Sequence, residues 1–248
     1  MRNYIGAELY RNFNRVYLWL YTGVFAVLAL AAVIILRAYN VPEMNLTSLT
    51  EMGTSMLIMP VFLVVAMIDM VTAEEQKNQT MRNIVTFGIS RNKIILSKLI
   101  VTVILSLISA FIILALFLGS TSVLFGLGAG FPGVFLTHFS RIIVAVPLWI
   151  AAISAGNFLA IFISNSNIFA AVYGAVFLMS TRVLQALGVV VSDKFEYARK
   201  YLITSQLNKL RQTNLTRDDM LFMVVISIGY ILIFTILSMC YFNKKEIK

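Results

Sequence analysis

Side chains able to act as acids, bases, nucleophiles or metal ligands are scarce in this chain, and few stand close together. Glu74 and Glu75, followed by Lys77 and Arg82, form a dense charged stretch. Paired carboxylates can share acid–base work or hold a metal, but a zinc centre completes its set from histidine, cysteine or further acids. The chain has one histidine, His138, and one cysteine, Cys240, far apart in sequence. No metal site is expected. A glycine-rich phosphate cradle with its lysine is missing too, since no glycine precedes a lysine anywhere. The glycines at 126, 128 and 130 lack the strand–turn–helix setting of a dinucleotide fingerprint. No cofactor is therefore expected on this chain, and any ATP hydrolysis it relies on falls to another subunit.

The elements that must position these residues are long and apolar. Of 248 residues, 60% are hydrophobic and only 12% are charged, with a mean hydropathy of +0.88. A soluble domain carries about twice that charge. About 20 apolar residues cross the hydrocarbon core of a bilayer, and six segments qualify: 16–36, 54–73, 94–118, 142–163, 167–191 and 220–242. The expected fold is an all-α integral membrane protein with six transmembrane helices in a single domain over residues 1–248.

The first apolar run exceeds the roughly 7–15 residues of a signal-peptide core, so it is read as a retained span. Ahead of it, Tyr4, Ile5, Leu9 and Phe13 alternate with Arg2, Glu8, Arg11 and Arg15. That pattern suits an interfacial helix, or equally a basic flank that sets topology. A lone cysteine excludes a disulfide within the chain. The net charge of +9 is spread over the ends of the spans, which favours anionic lipid head groups over nucleic acid as partners.

Basic residues cluster at 2, 11 and 15, at 77–98 and at 244–248. The positive-inside bias places these segments, and both termini, in the cytoplasm of a cell membrane. The basic loop 192–219 opposes that bias and is the weakest point of the topology. Asp193 with Glu196, and the stripe Phe195, Ala198, Leu202 and Leu210, predict a helical loop lying along the outer surface. Thr216 and Asp219 have capping-box spacing ahead of the last span. The five glycines of 119–138 predict a flexible or partly re-entrant external connection.

Inside the spans, ionisable and amide side chains mark candidate paths for cargo. Asp69 stands near the cytoplasmic end of the second span, where an interfacial anchor is the default reading. Arg182 lies roughly 22 Å into the fifth span at 1.5 Å per residue, accompanied by Ser180, Thr181 and Gln185. It must face a polar cavity or a protein partner, or snorkel outward. Asn157, midway along the fourth span, can bond across helices. Arg182, Gln185 and Asn157 are the translocation-path candidates. Pro60 and Pro147 would kink their spans.

Segment 73–98 carries the most specific pattern. Six spans, an amphipathic N-terminal flank and a charged helix after span two resemble the permeases of type 2 ATP-binding-cassette exporters. In that family acidic residues precede Gly-Thr, a short apolar helix, then Pro-hydrophobic-Ser-Arg and a lysine entering span three. Here Glu74 and Glu75 stand for the acids, Thr80 for the threonine, and Ile89–Ser90–Arg91 with Lys98 for the exit. Gln79 replaces the usual glycine and Gly88 the usual proline. The resemblance implies a cytoplasmic coupling helix that docks in a groove of an ATPase subunit. Glu74, Glu75, Lys77, Arg82 and Arg91 would make ion pairs at the rim, and Ile84, Val85 and Phe87 would be its apolar anchors. Gly88 would end the helix and Ser90 would cap span three.

The resemblance further implies two ATPase subunits, a second permease subunit that is identical or similar, and a path along their interface. Short permeases of this kind export, or give immunity to, bacteriocins, peptide toxins and peptide antibiotics in bacteria. Two rival functions fit the same sequence. An ion-coupled secondary transporter needs a buried acidic relay, for which Asp69 is the candidate. A scaffold or sensor without transport would need neither Arg182 nor the charged segment.

Overall fold

The computed structural model describes residues 1–39, 44–74, 88–163, 165–212 and 214–244. Among these the chain is helical throughout, with no strand. The helices are α1 (Arg2–Phe13), α2 (Val16–Ala38), α3 (Leu46–Ser55), α4 (Met59–Ile68), α5 (Arg91–Phe125), α6 (Phe131–Phe162), α7 (Ser166–Val190), α8 (Lys194–Arg199), α9 (Ile203–Lys209) and α10 (Arg217–Lys244). A π-helical turn, Asp69–Ala73, continues α4. Helices α2, α5, α6, α7 and α10 are each long and apolar enough to cross a membrane, and α3 with α4 passes the same test as a pair bent by 69°.

That bend falls at the kink expected from Pro60, and α3 carries the element back to Leu46, ahead of the start expected at 54. Proline lacks an N–H and clashes with the carbonyl four residues back, so a helix cannot run through it undisturbed. The chain resolves the conflict by ending α3 at Ser55 and placing Pro60 in the first turn of α4, where no N–H is needed. Val61 N then turns to Ile58 O at 3.1 Å, and Trp149 Nε1 donates to Leu57 O at 2.8 Å. The Tyr173 hydroxyl donates to Val61 O at 3.0 Å and the Tyr21 hydroxyl to Leu63 O at 2.5 Å. Donors from α6, α7 and α2 thus hold the bend, so it is built into the packing. Pro147, by contrast, lies within an unbroken α6.

The expected external connection over 119–138 shrinks to residues 126–130 between α5 and α6. Ser120, Thr121 and Ser122 donate their hydroxyls to carbonyls of the preceding turn, so these polar residues continue the helix beyond the point where hydropathy falls. Gly126, Gly128 and Gly130 take φ values of 75°, 80° and 73°. Their turn is hydrogen-bonded to the start of α3: Leu46 N meets Gly126 O at 3.1 Å and Thr47 N meets Leu127 O at 3.2 Å. A Cβ on Gly128 would fall 2.5 Å from Asn45 Cγ, which rules out a side chain there.

Helix α6 is the axis of the core. Val144, Ala145, Leu148, Ala151, Ala152 and Ala160 pack against Val61 and Ile68 of α4, Phe169 and Tyr173 of α7 and Met223 of α10. The closest approach is at Gly156, where a Cβ would lie 2.5 Å from Ile68 Cδ1 and 2.7 Å from the Tyr173 ring. The loop after α7 is divided in its placement. Helix α8 has no buried residue, but Ile203, Leu207 and Leu210 join the core cluster. The expectation of a loop lying wholly along the surface is thereby corrected. Thr204 Oγ1 meets Thr181 Oγ1 at 2.9 Å, and Lys209 pairs with Asp219 at 2.6 Å. Thr216 and Asp219 form the expected reciprocal cap on α10, at 3.2 and 3.3 Å.

Candidate functional site

At the end of the bundle where α1 and the last turn of α10 meet the start of α5, charged side chains stand at the two flanks of segment 75–87. The first flank is the π turn. There the chain reaches Glu74, whose Oε2 receives Arg15 Nη1 at 2.5 Å; the same nitrogen donates to Met70 O at 3.2 Å. Arg15, with Asn14 one of the two residues between α1 and α2, has extended backbone, so one side chain ties that junction to the end of α4.

The second flank is the start of α5, and it carries a buried ion pair. Lys98 Nζ lies 3.0 Å from Glu8 Oε2, with the side chains 1% and 4% exposed. Arg11 Nη2 reaches the same oxygen at 2.7 Å, and Asn12 Nδ2 donates to the Glu8 carbonyl at 2.8 Å. Burial alone would raise the Glu8 carboxyl, but Lys98 and Arg11 outweigh it and hold the group below its ordinary value. Burial and the Glu8 charge push the Tyr4 hydroxyl well up. Ile5, Leu9 and Phe13 pack beside the pair on Leu18, Met67, Met70, Val71, Val101 and Leu105. The sequence pattern set Glu8 on the polar face of α1. The structure turns it inward, because Lys98 supplies a charge it can meet without water.

Arg91 ties this flank to the last helix. Its Nη1 donates to Phe242 O at 2.8 Å and Asn243 O at 3.0 Å, the last carbonyls of α10, and its guanidinium sits 5.8 Å over the Phe242 ring. Asn243 Nδ2 donates to Asn92 Oδ1 at 2.9 Å. Gly88 has φ of 80°, a value that favours glycine. Ser90 is the N-cap of α5 by backbone geometry, with no hydrogen bond from its side chain.

Of the residues expected to dock an ATPase, Glu75, Lys77, Arg82, Ile84, Val85 and Phe87 lie outside the described residues, as does Thr80. Glu74 and Arg91 are described, and both are engaged within the chain. Each thereby ties one flank of the segment to another part of the bundle.

The expected path residues do not converge. Asn157 is buried on α6, and its Oδ1 accepts from Thr72 Oγ1 of the π turn at 2.8 Å; its Nδ2 has no partner among the described residues. Arg182 and Gln185 are exposed on α7, on a surface with Leu178 61%, Met179 61% and Val183 51% exposed. Asn157 thus joins α6 to the bent helix, and Arg182 with Gln185 marks a separate polar spot on an apolar outer face. Asp69 is half-buried, with no ion pair to Arg182 among the described residues.

Sequence reasoning missed the Glu8–Lys98 pair. A signal existed: Glu8 is the lone acid in residues 1–42, and it follows Ile5 by three and precedes Asn12 by four, on one helical face.

Among known proteins, the family model described as ABC-2 family transporter protein matches residues 11–195. The match runs from α1 into α8 and includes the whole segment between α4 and α5. No curated protein matches the chain.

Proposed function

We propose, because the chain belongs to the ABC-2 family of transporter proteins, that it is the transmembrane permease subunit of an ATP-driven exporter. The chain is a multi-pass membrane protein, and the family is a membrane component distinct from the ATPase. With the bent α3–α4 pair counted as one, it has six spans, with both termini in the cytoplasm of a bacterial cell membrane. Two such subunits, identical or similar, make one path, and two ATPase subunits drive it. The ATPase docks on segment 75–87, through Glu75, Lys77 and Arg82 at the rim and Ile84, Val85 and Phe87 in its groove.

One observation carries this reading beyond the family: both flanks of that segment are fastened to other helices. A loop free of the bundle would swing without moving it. Here Arg15–Glu74 and Lys98–Glu8 connect the flanks to α1 and α2, and Arg91 connects them to α10. Force applied to the segment has a route into the spans.

The cargo fits an amphipathic peptide such as a toxin or antimicrobial. Apolar side chains dominate the exposed face of α7, and Arg182 with Gln185 gives that face a polar contact for a partner subunit or a passing peptide. The test is uptake of a fluorescein-labelled amphipathic peptide by inverted membrane vesicles holding the chain and its ATPase. ATP-dependent uptake that falls at least tenfold in Glu75→Lys/Arg82→Glu supports the reading. Uptake that ignores ATP and follows an ion gradient overturns it.

A further inference from the structure

Loop 192–219 carries six lysines and arginines on the side that the positive-inside bias leaves poor in them. Its first helix, α8, turns back along α7. Glu196 N lies 3.6 Å from where a Cβ on Gly188 would stand, and Thr204 Oγ1 meets Thr181 Oγ1 at 2.9 Å. Along α7 those two contacts are about 10 Å apart at 1.5 Å per residue. The chain over 196–204 therefore descends from the outer end of α7 into the outer half of the membrane. The Tyr201 ring agrees with that depth, since it lies 5.9 Å from the ring of Phe222, past the first turn of α10.

One side of α8 packs on α7 and the other is open. Lys194, Tyr197, Lys200 and Tyr201 share the open side, with Tyr197 66% and Tyr201 54% exposed and both lysines exposed. Glu196 and Arg199 pair with each other, whereas neither lysine has an ion-pair partner among the described residues. Asp193 is the acid beside them that also lacks such a partner, and the two lysines outnumber it. Lys200 does not follow the descending chain downward. Its Nζ stands 5.3 Å over the Tyr197 ring, back toward the start of α8 and the membrane surface. A lysine turned upward in this way carries its charge to the head-group level. Beside α8, Val189, Val190 and Val191 form an exposed apolar ledge at the end of α7.

We propose that the open side of α8 binds the head group of an anionic phospholipid in the outer leaflet. Lys194 and Lys200 take the phosphate, as clustered lysines at a membrane surface do. Tyr197 and Tyr201 sit at the interface, ring in the apolar layer and hydroxyl toward water, and acyl chains cover the valine ledge. Charge complementarity selects this occupant. A zwitterionic lipid offers the two lysines no net attraction, and a protein helix would have to bring acids down among acyl chains, where burying them is costly. The bound lipid holds α8 against α7 and so keeps Ile203, Leu207 and Leu210 of α9 in the core. A basic loop on the outer side then has its counter-charge in the membrane. The inference rests on the topology with both termini in the cytoplasm and goes beyond the exporter reading, which gives this loop no part.

The test reconstitutes the whole chain in nanodiscs of phosphatidylcholine alone or in an equal mixture with phosphatidylglycerol. Hydrogen exchange of the backbone amides over 193–204 is followed by mass spectrometry. Exchange in the mixture is expected to be at least about fivefold slower than in phosphatidylcholine, the factor that one lysine contributes at an anionic surface. Lys194→Gln/Lys200→Gln is expected to exchange alike in both lipids; both positions are exposed, so the variant keeps its fold. Equal exchange of the parent in both lipids, or slowing that survives in the variant, overturns the site. Slowing of the parent by inorganic phosphate in phosphatidylcholine alone assigns the ligand to free phosphate and overturns the lipid. The topology is checked separately: Lys194→Cys in a Cys240→Ser parent is expected to react with a membrane-impermeant maleimide added to intact cells. Labelling only after permeabilisation overturns the outer-leaflet placement, whatever the transport assay gives.

Discussion

Replacing Lys98 with methionine should expose how much the buried pair contributes. Glu8 and Lys98 are 4% and 1% exposed, so neither charge can turn to water when the other is removed. Taking one partner from a buried pair costs about 3–5 kcal/mol. Arg11 stays on the same carboxylate oxygen at 2.7 Å, which sets Lys98→Met at the lower end, about 3 kcal/mol. Glu8→Gln takes the carboxylate from the buried lysine instead and costs about as much or more. The double variant strands neither and should come close to the parent, so the cycle gives a coupling of about 6 kcal/mol, the sum of the two single losses. For a chain of 248 residues, each kcal/mol moves the melting point by about 2–4 °C, so each single variant should lose roughly 6–12 °C. Arg15→Gln, at a half-exposed pair, should cost no more than about 1 kcal/mol. Thermal unfolding in nanodiscs followed by tryptophan emission suits the question, because Trp19 Nε1 donates to Phe13 O at 2.7 Å and so reports on the α1–α2 junction. Single variants that unfold within about 1 kcal/mol of the parent, or a double variant whose loss is the sum of the two, would refute the reasoning.

Three further outcomes follow from the packing and charge. Gly156→Ala should destabilise by about 1–3 kcal/mol, the usual cost of overpacking, because its Cβ meets Ile68 Cδ1 and a Tyr173 ring held by the Val61 carbonyl; thermal unfolding checks it, and a neutral result would show that the contact gives way. The Glu8 carboxyl is held below its ordinary 4.5, so its contribution is complete above that value and is lost as pH falls through the lower folded one. Trp19 emission should therefore hold steady as pH falls from about 6 to about 5 and change only in stronger acid; an acid transition centred above 4.5 would contradict the assigned carboxylate. Arg182→Ala should leave unfolding within about 0.5 kcal/mol of the parent, as for exposed sites, while peptide uptake by vesicles falls; a large loss of stability would place that side chain in a contact within the chain.

Much of the architecture was legible because hydropathy over about twenty residues is a strong signal. The long helices α2, α5, α6, α7 and α10 cover five of the expected spans, with α5 and α6 longer than expected because hydroxyls of Ser120, Thr121 and Ser122 in α5, and of Thr137 and Ser140 in α6, fold back on their own helix. The break at 56–58 was only half legible. Pro60 marks it, but the donors that hold it, Trp149, Tyr173 and Tyr21, come from three other helices and have no signature near residue 60. The burial of α9 was hidden for a similar reason, since Ile203, Leu207 and Leu210 are too few to read as a membrane element and are buried against α6 and α7. At the site, Glu74, Arg91 and Lys98 stood out from the charged pattern of the segment. Their partners did not, because Glu8, Arg15 and the Phe242 carbonyl are between 59 and 151 residues away, and a single sequence does not pair residues at that distance.

The central claim is that segment 75–87 receives a separate ATPase, and co-purification tests it most directly. The tagged chain is drawn from its native membrane in mild detergent, and the eluate is assayed for bound protein and ATP hydrolysis, with Glu75→Lys/Arg82→Glu beside the parent. The account predicts a stoichiometric ATPase on the parent and its loss from the variant, with thermal unfolding of the permease unchanged. An active ATPase bound equally to both, or a parent that elutes alone, would contradict it.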